Sequence, residues 1–125
     1  MTDEDLLEPF HLAVIRSVAN ESNVPEPTLR DALEAHQRTM RDNPGVEDLV
    51  YEWRKQYDDP ILDRRPETFF VAVPPTVWEE FGAHLDLETD LLAALVATHQ
   101  EQTVRTDGIT LDGMTEGHVP IVVTR

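Results

Sequence analysis

The segment from Phe69 to Val73 is apolar without interruption, and Pro74 and Pro75 close it. Aromatic and β-branched residues dominate this short segment, which favours a β-strand that is buried on both faces. Successive side chains of a strand point to opposite faces, so Phe69 and Phe70 need separate apolar cover. We expect helices to cover one face, and further helices or a partner subunit to cover the other.

Amphipathic helices are predicted on both sides of this strand, because apolar residues recur there at three- and four-residue spacing. Three such stripes precede the strand and two follow it. Their bounding residues are Leu7 and Val18, Leu29 and Met40, Val46 and Tyr57, Val77 and Leu85, and Leu91 and His99. This pattern supplies the helices that the apolar strand requires as cover.

Two further apolar segments, residues 109–111 and 119–123, are short and adjoin turn signals, which predicts strands. Pro120 cannot donate a ladder hydrogen bond, so it favours an edge position for the last strand. No repeat or Gly/Ser-rich linker divides the chain, and we expect one domain over residues 1–125. The predicted fold class is α+β, with about five helices and a small two- or three-stranded sheet formed near residues 69–73, 109–111 and 119–123.

Acidic residues outnumber basic ones by 25 to 10, which gives a net charge of −15. Nine of the ten bases are arginine, Lys55 is the one lysine, and threonine outnumbers serine. This composition resembles that of cytosolic proteins of halophilic archaea, and it implies no specific family. At multimolar salt the screening length falls to about 3 Å, so carboxylates crowd a surface with little repulsion and keep it hydrated. The alternative is an acidic mesophilic protein whose carboxylates form a partner-binding face.

The same composition limits the classes of function. The negative charge disfavours nucleic acid or an anionic membrane as the main partner, although halophilic DNA-binding proteins can be acidic as well. The absence of cysteine excludes disulfides, thiol nucleophiles and cysteine-ligated metals. No apolar run approaches the roughly 20 residues of a membrane span, and residues 1–5 lack the positive region of a signal peptide. We therefore expect a cytoplasmic protein. We also expect no cofactor, since the five glycines never cluster into a phosphate-binding loop.

Three residues form the best candidate for a metal site, namely His84, Asp86 and His99. Histidine together with carboxylate suits zinc, manganese or iron, and a metal-dependent enzyme is the third functional hypothesis. The chain lacks the pair of histidines one helical turn apart that marks a metal-binding helix. His36 and His99 fall on apolar helical faces, so a core or interface position is the alternative for both.

The middle of the chain, residues 38–65, is nearly neutral between two acidic flanks. Its six bases are Arg38, Arg41, Arg54, Lys55, Arg64 and Arg65. They lie on the second and third predicted helices and the following loop, where they could contact phosphates as a helix-turn-helix does. A nucleic-acid-binding transcriptional regulator is therefore the second functional hypothesis. The alternative is charge pairing within the chain, because seven acids occupy the same stretch.

The order of strand, helix, turn and helix over residues 68–99 resembles ribbon-helix-helix repressors. Those ribbons alternate polar and apolar residues, whereas Phe69–Val73 is apolar throughout. Residues 66–104 also carry seven acids and no base, which would repel phosphate. The sequence therefore favours a strand that joins a sheet and two helices that cover it.

Large apolar side chains concentrate in the second half of the chain and predict an interface. Its candidate residues are Phe69, Phe70, Trp78 and Phe81. Symmetric dimers are the commonest oligomers, and an edge strand near the end of the sequence offers a second route by strand addition. The first functional hypothesis is accordingly a non-enzymatic protein–protein interaction or regulatory module, homodimeric and adapted to high salt.

Thermal unfolding tests the adaptation to salt. Raising potassium chloride from about 0.1 M to about 2 M should raise the melting temperature clearly, because screening relieves repulsion among the carboxylates. Circular dichroism during heating measures the change. A melting temperature that does not depend on salt would remove the main support for a halophilic protein.

Overall fold

The structure, a computed structural model, describes residues 7–42, 45–112 and 114–125. Within these ranges it contains five helices and three strands. The helices are α1 (Leu12–Ser22), α2 (Glu26–Asp42), α3 (Val46–Gln56), α4 (Pro75–His84) and α5 (Thr89–Arg105), and the strands are β1 (Ile61–Arg64), β2 (Thr68–Val73) and β3 (Val119–Thr124). This content confirms the predicted α+β class.

The three described strands form one antiparallel sheet in the order β1-β2-β3. All six residues of the central strand β2 are buried, as the apolar segment predicted. Phe69 and Phe70 are 4% and 2% exposed within a single chain. The chain therefore covers both faces of this strand without a partner subunit.

The third strand does not lie where the sequence predicted it. Residues 109–111 form no strand, and the sheet instead contains β1, directly before β2. A three-residue connection, residues 65–67, joins β1 to β2, and the Arg65 amide donates to the Thr68 carbonyl at 2.8 Å to close it. A bulge between Ile61 and Asp63 interrupts the pairing of β1. Three successive half-buried residues result, and the alternation that reveals a strand in the sequence is lost.

Strand β3 lies at an edge of the sheet, as Pro120 predicted. Ala72 pairs with Pro120 but donates its amide hydrogen to Pro60 at 2.7 Å, on the β1 side of the central strand. Ala72 and Pro120 therefore form a non-hydrogen-bonded pair, and the missing proline N–H costs the ladder no bond.

The helices assemble around α5, which contacts α1, α2, α4 and β3. Helix α2 contacts β3 as well, so the two longest of the described helices lie against the same edge strand. The core that they enclose extends from Phe10 and Val14 to Ile121 and Val123. None of the described helices is long and apolar enough to cross a membrane.

Side chains from α2 and α5 complete the outer edge of β3. The Gln37 amide nitrogen donates to the Val122 carbonyl at 2.7 Å, and the Thr124 amide donates to the Gln37 amide oxygen at 3.0 Å. Gln37 thus bonds on either side of Val123, as one residue of a neighbouring parallel strand would. The Val122 amide donates to His99 Nδ1 at 2.9 Å. These groups are buried, so the bonds replace water that the core excludes.

This arrangement corrects the second predicted route to a dimer. The backbone groups of Val122 and Thr124 that strand addition would use are already bonded to Gln37 and His99. A strand from another chain could pair there only by displacing two fully buried side chains. We therefore expect any dimer to use a surface other than the outer edge of β3.

Replacing Gln37 by leucine tests the role of the edge bonds. Gln37→Leu keeps a side chain of similar volume but leaves two buried backbone groups without a partner. The free energy of unfolding should fall by about 1–3 kcal/mol for each group, as measured by chemical denaturation. Gln56→Leu, at an exposed position of α3, is the matched control and should change it little. Equal stability of the two variants would show that Gln37 does not hold the edge.

Candidate functional site

The structure does not bring the predicted metal ligands together. His84 is exposed at the end of α4 and Asp86 is exposed in the following turn, whereas His99 is fully buried in α5. Across the described residues, no three His, Cys, Asp or Glu side chains are placed to hold a metal ion. The described part of the chain therefore does not assemble a metal site from these three residues.

The two histidines on apolar faces instead meet in a buried aromatic cluster. The His36 ring stacks on Trp78 at 4.8 Å between centroids and meets Phe81 edge-to-face at 4.5 Å. The His99 ring lies edge-to-face against His36, Trp78 and Phe10, at 5.1, 4.7 and 4.9 Å. Both histidines are core residues, as the alternative interpretation of the sequence predicted. We call these five residues the histidine cluster.

The bond from Val122 fixes the protonation of His99. An acceptor nitrogen carries no proton, so neutral His99 has its hydrogen on Nε2 rather than Nδ1. The lone pair on Nδ1 is used by the Val122 amide, and Nε2–H is a donor. Neither nitrogen of neutral His99 is thus available as a metal ligand, which is a second reason against the predicted site.

Several polar atoms of the cluster lack a hydrogen-bond partner among the described residues. They are both ring nitrogens of His36, His99 Nε2 and the indole nitrogen of Trp78. The edge-to-face packing of these rings allows weak N–H···π contacts. These atoms therefore lower the stability of the fold, because buried polar groups without a hydrogen-bond partner are destabilising.

Burial also controls the charge of the cluster. Loss of hydration lowers the pKa of His36 to about 3. Burial, followed by the charge of His36, lowers the pKa of His99 well below its ordinary value. Both imidazoles are therefore neutral at pH 7, as the bond from Val122 to His99 requires.

Four of the six bases of the nearly neutral middle line two surface depressions. Arg54 and Arg64 line one depression, whereas Arg41 and Arg65 line another. Arg38 is exposed on α2.

Pairing within the chain accounts for several of these bases. Lys55 Nζ lies 3.2 Å from Glu52 Oε1, and Arg65 Nε lies 2.7 Å from Asp63 Oδ2. The Arg64 guanidinium lies 5.6 Å from the centre of the Phe69 ring. Arg41 donates to the backbone carbonyl of Arg125. Charge pairing, the alternative to a phosphate-contacting surface, thus has direct examples here.

A family model described as a domain of unknown function (DUF8048) matches residues 8–125. The chain belongs to the DUF8048 family. The match includes every helix and strand of the fold described above. No curated protein and no solved structure matches the chain.

The predicted interface residues of this DUF8048 domain lie mostly inside it. Phe69, Phe70 and Trp78 are buried within one chain, and Phe81 is half-buried. Trp78 forms part of the floor of one surface groove and Phe81 lines a second. A partner could therefore touch the aromatic residues of α4 through these grooves, whereas Phe69 and Phe70 serve the core.

The first groove of the DUF8048 domain runs along the outer face of α5. It has a volume of about 390 Å³ and includes Pro75, Leu92, Ala93, Val96, Ala97 and Val119 in its lining. We call it the α5 groove. Glu79 is the one charged residue among the described residues that line it.

The second groove lies between α2, α3 and α4 and has a volume of about 430 Å³. Its lining includes the aromatic residues Trp53, Tyr57 and Phe81 and the carboxylates of Glu52 and Glu80. We call it the three-helix groove. The sequence did not predict it, because its residues come from three helices whose packing no local pattern specifies.

Mild acid should destabilise the DUF8048 domain through its buried histidines. The unfolded chain takes up protons below the ordinary histidine pKa of 6.5, whereas folded His36 stays neutral until about 3. The contribution of neutral His36 to the free energy of unfolding is therefore fully present above pH 6.5. It falls as the pH falls towards the pKa of the folded state. We expect a loss of about 2 kcal/mol per buried histidine between pH 7 and pH 5, measured by chemical denaturation.

Two variants separate this effect from the titration of surface carboxylates. His36→Phe should remove about half of the loss, since one of the two buried histidines is gone. His84→Gln, at an exposed histidine, should leave the loss unchanged. The assignment to the histidine cluster would fail if His36→Phe and the original chain lost stability in parallel.

Proposed function

We propose that this domain is a non-enzymatic interaction module that acts as a homodimer in a high-salt cytoplasm. The observation that carries the proposal is the α5 groove, an apolar surface on a helix that otherwise faces the core. The occupant that we propose is the same groove of a second copy, because symmetric dimers join identical surfaces.

The distribution of side chains around α5 supports a covered outer face. The helix buries the polar residues Thr98, Gln102 and Thr103, while Leu92 and Val96 are only half-buried. The buried hydroxyls are satisfied locally, since Thr98 donates to the Ala94 carbonyl at 2.8 Å and Thr103 to the His99 carbonyl at 2.8 Å. Leu92 and Val96 pack only partly against the core, so part of their apolar surface stays open to a partner.

The exposed surface of the α5 groove continues as a stripe of side chains along one side of α5. Ala93, Ala97, Gln100 and Val104 follow each other at three- and four-residue spacing, and Val104 is 58% exposed. A second copy that packs against this stripe would remove apolar surface from water. The small alanine side chains would allow two helices to approach closely.

Charge also favours this face for self-association. Two molecules with a net charge of −15 repel each other, so contact needs a surface with few carboxylates and a solvent that screens charge. The α5 groove meets the first condition, since Glu79 is its one charged residue among those described. High salt meets the second and also strengthens apolar association.

Sedimentation velocity tests the proposal. In about 2 M potassium chloride, where the screening length is shortest, the chain should sediment at twice its mass of 14.2 kDa. Ala93→Glu combined with Val104→Glu places two charges on exposed positions of the stripe and should give a monomer. Ala13→Glu, on an exposed position of α1, is the matched control and should remain dimeric.

Two outcomes would overturn the proposal. A chain that is monomeric at both low and high salt is not a homodimer. A double variant that remains dimeric while unfolding at the usual temperature would place the interface elsewhere than on α5.

A further inference from the structure

We infer that the three-helix groove binds a small organic cation, an ammonium or guanidinium group on an aliphatic stem. The groove is distinct from the α5 groove, so this inference goes beyond the proposed homodimer. Its volume of about 430 Å³ lies within the range of small-molecule sites. Two features of the lining point to a cation, namely its aromatic residues and its carboxylates, and a third is the ion pair that one of these carboxylates makes with Lys55.

Aromatic side chains form much of the groove, and neighbours hold them in place. Trp53 is 5% exposed, and the half-buried Phe81 ring packs edge-to-face on His36 at 4.5 Å. Tyr57 lies edge-to-face against His118 at 5.7 Å. The faces of such rings attract ammonium and guanidinium groups, most strongly where water is excluded. An aliphatic stem would pack on the apolar lining, which includes Val77.

Two of the helices that form the groove each contribute a carboxylate. Glu52 projects from α3 and Glu80 from α4, and both line the groove. None of the described lining residues is lysine or arginine, and Glu80 makes no ion pair with any residue that the structure describes. The groove thus offers negative charge beside aromatic faces, and it supplies no strong base of its own to neutralise Glu80.

The one lysine of the chain makes contacts of the same kind with Glu52, which lines the groove. Lys55 Nζ lies 3.2 Å from Glu52 Oε1 and 5.1 Å from the centre of the Tyr51 ring. Glu52 therefore accepts an ammonium group beside an aromatic face in the free protein. A ligand in the groove competes with Lys55 for this carboxylate, so removal of Lys55 should strengthen binding.

Titration with cadaverine, an aliphatic diamine, tests the site. Isothermal calorimetry at about 0.1 M salt, where charge is least screened, should show saturable binding, and the fluorescence of Trp53 should change in step. Glu80→Gln should weaken binding about tenfold, since it removes a charged hydrogen-bond partner. Lys55→Gln should strengthen binding, because Glu52 is then released.

Matched controls separate recognition from a general attraction to an acidic surface. Glu79→Gln changes the neighbouring carboxylate of α4, which lines the α5 groove instead, and should leave the affinity unchanged. Glutarate, with the same stem and carboxylates in place of amines, should not bind. The inference is overturned if cadaverine does not saturate, or if Glu79→Gln and Glu80→Gln weaken binding equally.

Discussion

The hydrogen bonds to the outer edge of β3 join the helices α2 and α5 to the sheet. Gln37 of α2 and His99 of α5 supply side-chain atoms where a further strand would supply backbone. These bonds require polar residues inside an apolar core, and they require His99 to be neutral. The histidine cluster follows from this requirement, because the His99 ring then packs edge-to-face against His36 and Trp78.

The features that sequence predicted are those with a local signal. The apolar segment at Phe69–Val73 identified the central strand, and Pro120 identified the edge strand. Helical periodicity placed His36 and His99 in the core. Strand β1 was not predicted, because a bulge removes its alternation of buried and exposed residues. The role of Gln37 was not predicted either, although Gln37 lies four residues after Leu33 on a buried face of α2. Its role depends on Val122, which no pattern within α2 can reveal.

The candidate sites depend even more on contacts that no local sequence pattern reveals. His84, Asp86 and His99 are close in sequence but differ in burial, because α5 turns His99 into the core while the other two face solvent. The three-helix groove combines Trp53 with Glu80, residues that are distant in sequence. Composition suggested an acidic surface, but only packing distinguishes a carboxylate beside an aromatic ring from one in open solvent. The two grooves therefore carry both functional proposals.

The edge bonds also bear on the order in which this chain folds. Gln37 and Val122 are 85 residues apart, whereas β1 and β2 are joined by a three-residue connection. The local hairpin can form with little loss of loop entropy, but β3 must close a loop that contains α4 and α5. Until β3 arrives, Gln37 and His99 keep their bonds to water. We therefore expect the interior around the histidines to be the last part of the core to lose its water.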